Sequence, residues 1–155
     1  MYRVLVLMGS ESDRETVESS RPLFEFFGIK AEYMISSAHR NPDRTAELAL
    51  SARSNGFSAI VCAAGMAAHL AGVCVSKSDL PVLGVPLKGG ILDGLDALLS
   101  TVQMPKGVPV ATFAVGKAGC INAAVFCARM ISLSDDAVKT QLGIFIKNGC
   151  VIPKS

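Results

Sequence analysis

The chain has 155 residues, 50% of them apolar and 18% charged, with a mean hydropathy of +0.44. That length suits one well-cored domain, residues 1–155, and leaves apolar surface for another subunit to cover. A net charge of +2, carried by 15 scattered basic residues, offers no stripe for nucleic acid, and no apolar run reaches the roughly 18 residues of a membrane span.

Met1 leads into Arg3–Leu7 and at once into Gly9-Ser10, too short a stretch for a signal peptide, so the expected location is the cytoplasm. Cys62, Cys74, Cys120, Cys127 and Cys150 form no C-x-x-C pair and mostly sit inside apolar patterns, which predicts reduced, buried thiols.

In chain order, Arg3–Met8 reads as a strand, and the Gly9–Asp13 turn leads into a helix carrying Val17, Leu23, Phe24 and Phe27, stopped by Gly28. Ala31–Ile35 is a second strand. Ser36–Pro42 is a polar turn opening a helix that runs to about Asn55, with Pro42 in its first turn and Gly56 at its end. A third strand, Ala59–Ala63, runs into the small-residue loop Ala64–Gly72 and a short helix to about Ser78. Pro81–Val85 is a fourth strand whose exit carries Pro86 and Gly89-Gly90, followed by a helix from Asp93 to Val102. Val108–Val115 is a fifth strand, Gly116–Gly119 turns into an alanine-rich helix reaching Leu133, and a last helix spans Asp135–Asn148.

Short apolar strands alternating with helices predict an α/β fold: a five-stranded parallel sheet covered on both faces. The loops leaving the carboxyl ends of such strands share one edge, where ligands bind at a reversal of strand order. Every one of these loops is rich in glycine, serine or other small residues, so backbone can approach a ligand there.

The Gly9-Ser10-Glu11-Ser12-Asp13 loop has neither P-loop nor G-x-G-x-x-G spacing, which speaks against a nucleoside triphosphate or a dinucleotide. Its hydroxyls and free amides suit a phosphate or sugar, or else Ser12 or Asp13 simply caps the helix. His39 follows Ser37 and precedes Arg40: imidazole moves protons near neutrality and guanidinium pairs with phosphate or carboxylate, while an idle loop histidine is the alternative. His69 lies in the third exit loop and reads equally as a structural donor; the two histidines lack metal-ligand spacing, so no metal is expected. Lys117, Gln103, Asp93 and Asp96 read as structural, although Lys117 could also meet an anion.

Five stretches carry a resemblance: Met8-Gly9-Ser10-x-Ser12-Asp13, Ser37-Ala38-His39-Arg40-x-Pro42, Ala67-Ala68-His69-Leu70-x-Gly72, Pro81–Pro86, and Val102-Gln103-Met104-Pro105-x-Gly107-Val108-Pro109-Val110. Together, in this order, they resemble the class I phosphoribosylaminoimidazole carboxylase catalytic subunit family, the N5-carboxyaminoimidazole ribonucleotide mutases of purine biosynthesis. The resemblance implies a three-layer flavodoxin-like fold, an octamer with sites near subunit boundaries, and functional coupling to the synthetase that forms the carbamate. It implies no ATP, biotin, metal or other cofactor. Carried onto this chain, it makes His39 the proton-transferring catalytic residue and Ser10, Asp13 and Arg40 ribonucleotide contacts, with Ser12 and Ser37 beside them. The loop holding Gly65, Ala67, His69 and Leu70 becomes the wall for trapped carbon dioxide.

The chain departs from the family pattern at Asn41, where threonine is frequent, at Met66, where a second glycine is usual, and at Ala71, where proline is usual. Direct carboxylation of the decarboxylated nucleotide, a non-catalytic nucleotide-binding module and an oligomeric scaffold are the competing readings.

Overall fold

A computed structural model describes residues 1–153. The strands are β1 (Arg3–Met8), β2 (Lys30–Ile35), β3 (Phe57–Ala64), β4 (Val82–Pro86) and β5 (Ala111–Thr112). The helices are α1 (Arg14–Glu18), α2 (Arg21–Phe26), α3 (Pro42–Ser51), α4 (Leu70–Lys77), α5 (Leu95–Val102), α6 (Lys117–Ile131) and α7 (Asp136–Lys147). All strand pairs are parallel, in the order β2-β1-β3-β4-β5, which is the flavodoxin-like doubly wound arrangement.

Because successive side chains point to opposite faces of a strand, β1 feeds two cores. Val4, Val6 and Met8 pack with α1, α2, α6 and α7, while Leu5 and Leu7 pack with α3 and α4. This two-sided burial is why the central strands read as unbroken apolar runs. Phe24 and Phe27 of the first core are each 1% exposed, which stabilises the fold by about 2–3 kcal/mol per ring. Phe27 also meets Phe145 edge-on at 5.4 Å, tying the end of α2 to α7.

Three elements differ from the sequence expectation, each for a backbone reason. The first helix is split into a 3-10 turn at Glu11–Asp13, then α1 and α2, because Pro22 at the start of α2 cannot continue the ladder. Ser19 and Ser20 close that break by donating their hydroxyls to the carbonyls of Thr16 and Val17 at 2.6 and 2.7 Å. The fifth strand pairs only over Ala111–Thr112, since Pro109 has no N–H to offer and the strand lies at the sheet edge. The fourth crossover helix begins at Leu95 rather than Asp93: Ile91–Asp93 forms a 3-10 turn, and Gly94 at φ +115° swings the chain into α5.

The expected stop of α3 is present in a tightened form. Regular helix ends at Ser51, and Gly56 at φ +80° closes the last turn as Gly56 N–H donates to Arg53 O and Phe57 N–H to Ala52 O. Asn41 caps the other end, its side chain accepting from Arg44 N–H at 3.3 Å, so the residue that departs from the family pattern fills a capping role. Burial of the thiols is as expected for Cys62, Cys74, Cys120 and Cys127, whereas Cys150, just past the end of α7, is exposed. Among the described residues, no helix is long and apolar enough to cross a membrane.

Candidate functional site

The strand order reverses between β1 and β3, and a cleft of about 480 Å³ opens beyond the carboxyl ends of β1, β2, β3 and β4. The loop after β1 contributes Ser10, Ser12 and Asp13, and the loop after β2 contributes Ser37, His39 and Arg40. From the loop after β3 come Gly65, Ala67, His69 and Leu70. Every residue that the resemblance gives a catalytic or ligand-contacting part therefore lines one cavity.

Each loop is held by its own polar chemistry. Asp13 accepts from the Ser10 backbone N–H at 3.0 Å and from the Ser10 hydroxyl at 3.2 Å, and the Ser10 and Ser12 hydroxyls stand 2.5 Å apart. Ser36 extends the sheet through its N–H to Met8 O, and its buried hydroxyl meets that of Thr45 at 2.8 Å. Arg40 N–H donates to the Ser37 hydroxyl at 3.3 Å, leaving the Arg40 guanidinium exposed over the cleft.

The feature with most chemical content is a contact between residues 30 apart in sequence: His39 Nε2 lies 3.0 Å from His69 Nδ1, the rings edge to face. The contact is a hydrogen bond when one ring presents its N–H and the other its lone pair. When one ring takes up an extra proton it can still donate to the lone pair of its neutral neighbour, so the contact is compatible with the neutral and the singly charged pair. His69 is delivered by the start of α4, whose next residues, Leu70 and Ala71, are buried in the second core. The wall beside the pair is small and apolar, formed by Gly65, Ala67 and Leu70. Among the described residues no three His, Cys, Asp or Glu side chains converge on a point that would hold a metal ion.

Met66 answers the question raised by the missing glycine. It takes φ +54°, the left-handed conformation that glycine adopts freely, and leaves its side chain largely in solvent. The loop thus keeps a glycine-like path at a conformational cost of about 1–2 kcal/mol. Ala71 tucks under the sheet, where a Cβ on Gly84 would come within 3.3 Å of it.

Lys88, Gly89 and Gly90, leaving β4, also line the cleft and were not among the residues singled out. The available signal was a cation placed directly after an apolar strand and before two glycines. Asp93 and Asp96 are structural, as read: they accept from Gly89 and Ile91 N–H at 3.2 Å. Lys117 lies outside the cleft, in an adjoining pocket with Lys88, Ser12 and Asp13.

The thiols are the most strongly perturbed ionisable groups near the site's foundations. Burial pushes Cys120 and Cys127 up to about 12, and burial together with neighbouring Cys74 raises Cys62. All three stay protonated and inert at neutral pH.

Fold and cleft define a doubly wound α/β protein with a cleft at its switch point, where such folds bind small ligands, lined by imidazole, hydroxyl and guanidinium side chains. The family model described as AIR carboxylase matches residues 3–148. The N5-carboxyaminoimidazole ribonucleotide mutase of Brucella melitensis is 45% identical over 139 residues, covering 90% of this chain and 86% of that protein. The mutase of Escherichia coli K12 is 43% identical over 140 residues, covering 90% and 83%. The crystal structure of Treponema denticola PurE shares the fold, with a TM-score of 0.87 over 96% of this chain and 92% of that one at 23% identity. The chain belongs to the AIR carboxylase family.

Proposed function

We propose that this chain is an N5-carboxyaminoimidazole ribonucleotide mutase, moving a carboxyl group from the exocyclic nitrogen of an aminoimidazole ribonucleotide to ring carbon four in purine biosynthesis. The observation that carries the mechanism is the His39–His69 pair standing against an apolar wall in a cleft rich in hydroxyls.

In this reading protonated His39 gives its proton to the carbamate nitrogen, the N–C bond breaks, and carbon dioxide leaves. The electron-rich ring carbon attacks that molecule, and His39 takes the proton from the same carbon, restoring the aromatic ring and its own charge. Protons and electrons balance within one turnover, so a single histidine serves as acid and then base. Carbon dioxide carries no charge to grip, and the Gly65, Ala67 and Leu70 wall retains it by shape and exclusion of water. Ser10, Ser12, Asp13, Ser37 and Arg40 hold the ribonucleotide, with Arg40 and the serines suited to its phosphate. The chemistry calls for no cofactor.

The mutase relatives favour rearrangement over direct carboxylation. The decisive comparison offers the purified protein the carbamate on one hand, and the decarboxylated nucleotide with bicarbonate on the other. Faster turnover of the second pair at physiological concentrations would remove the mutase assignment.

We also infer a cytoplasmic homo-oligomer, an octamer by family, working in sequence with the synthetase that makes the unstable carbamate. Ile91, Leu92, Leu95, Leu99 and Val102 form an exposed apolar strip beside the cleft that supports self-association. A monomer in light scattering at micromolar concentration would contradict it.

A further inference from the structure

Lys88 and Arg40 line the same cleft. Arg40 follows β2 and Lys88 follows β4, with β1 and β3 between them. A ribonucleotide bearing a carboxyl group is anionic at both ends, through its phosphate and through the carboxylate on its base. We propose that Lys88 is a second cationic contact for the ribonucleotide, taking one of these anionic groups and leaving the other to Arg40. The proposal rests on the mutase reading and extends it to a residue that reading does not use.

Two features of Lys88 fit such a role. Its aliphatic stem runs along the backbone of Gly116, where an added Cβ would stand 3.3 Å from Lys88 Cγ. A stem already laid on a surface loses less rotamer freedom when its ammonium is captured. Its resident partner, moreover, is weakly held. Lys88 Nζ is 3.5 Å from Asp93 Oδ2, both side chains are about two-thirds exposed, and Asp93 already accepts from Gly89 N–H. An exposed ion pair of this kind stabilises little, so the ammonium exchanges readily onto a ligand anion. The Asp13 carboxylate lies on the same wall as Lys88, in the cleft and in the adjoining pocket that reaches Lys117. It offsets part of the positive field there, so a direct contact and not bulk charge must carry the effect.

Steady-state kinetics on four variants test the assignment. Lys88→Met should raise KM about tenfold, the loss expected for one charge-assisted hydrogen bond, with a much smaller change in kcat. Lys88→Arg should recover most of the loss. Asp93→Asn, which keeps the carbonyl acceptor for Gly89 but frees the ammonium, should lower KM. Lys117→Met should leave KM unchanged. Inhibition by inorganic phosphate and ribose 5-phosphate identifies the group held: weaker inhibition of Lys88→Met assigns Lys88 to the phosphate, and unchanged inhibition beside a raised KM assigns it to the carboxylate. An unchanged KM in Lys88→Met, or an equal rise in Lys117→Met, overturns the inference while leaving the mutase reading intact. Wild-type protein that fails to rearrange the carbamate overturns the mutase reading itself.

Discussion

Replacing His69 by alanine separates two roles that a histidine pair could divide. The 3.0 Å contact between His39 Nε2 and His69 Nδ1 restrains the plane of the ring to which the proposed mechanism gives the proton transfer. Its loss frees an exposed side chain to sample other rotamers, an entropy of about 1 kcal/mol, and removes a hydrogen bond worth about 0.5–1.5 kcal/mol. Part of the second quantity returns when water takes the vacated place, so the barrier should rise by about 1.4 kcal/mol, or roughly tenfold in kcat. Removing the acid–base group itself, in His39→Ala, should cost about 100-fold or more. The assay is single-turnover conversion of the carbamate by each variant, with ribonucleotide binding measured separately by titration calorimetry. If His69→Ala fell as far as His39→Ala, His69 would be a proton carrier and the positioning argument would be wrong. If it kept full activity, the pair would have no mechanistic meaning.

Three further outcomes follow from the packing and the charges. Gly119→Ala should lose about 3 kcal/mol or more and lower Tm by about 10 °C, because the new Cβ would sit 1.8 Å from Ala114 O, a backbone atom that cannot swing away; scanning calorimetry reads this directly. Glu32 has its carboxyl held below the ordinary range, first by the hydrogen bond from Arg3. That stability is present above the unfolded-state value and lost as pH falls through the folded one, so Glu32→Gln should lower Tm by about 2 °C at neutral pH, with the difference shrinking as pH falls below the ordinary carboxyl range. Titration with a thiol reagent should find no more than one reactive cysteine, Cys150, in the native protein, with Cys62, Cys74, Cys120 and Cys127 appearing only on unfolding.

The legible parts of this chain were those governed by local chemistry. Strands buried on both faces announce themselves as apolar runs such as Ala59–Ala63, and Pro42 and Gly56 mark the ends of the α3 region because their backbones permit little else there. The loops after β1, β2 and β3 were recognisable because hydroxyls, histidines and glycines cluster where strands end. What escaped depends on pairing in three dimensions. The contact between His39 and His69 needs the β1/β3 switch point to bring two loops together. The brevity of β5 reflects its place at the sheet edge as much as Pro109. Lys88 was hidden because Lys-Gly-Gly reads as ordinary turn chemistry until the sheet order places it in the cleft. Met66 shows a residue type overruled by its surroundings, holding a backbone conformation that its side chain disfavours.

The central claim is that a carboxyl group leaves nitrogen and rejoins carbon inside this cleft under the control of His39. The most direct measurement supplies carbamate labelled with carbon-13 in its carboxyl group, in a large excess of unlabelled bicarbonate, and reads the label in the product by NMR. A trapped intermediate predicts product that keeps most of the label, with the yield abolished in His39→Asn while ribonucleotide binding persists. Product labelled only at the level of the bulk bicarbonate, or undiminished yield from His39→Asn, would contradict the account.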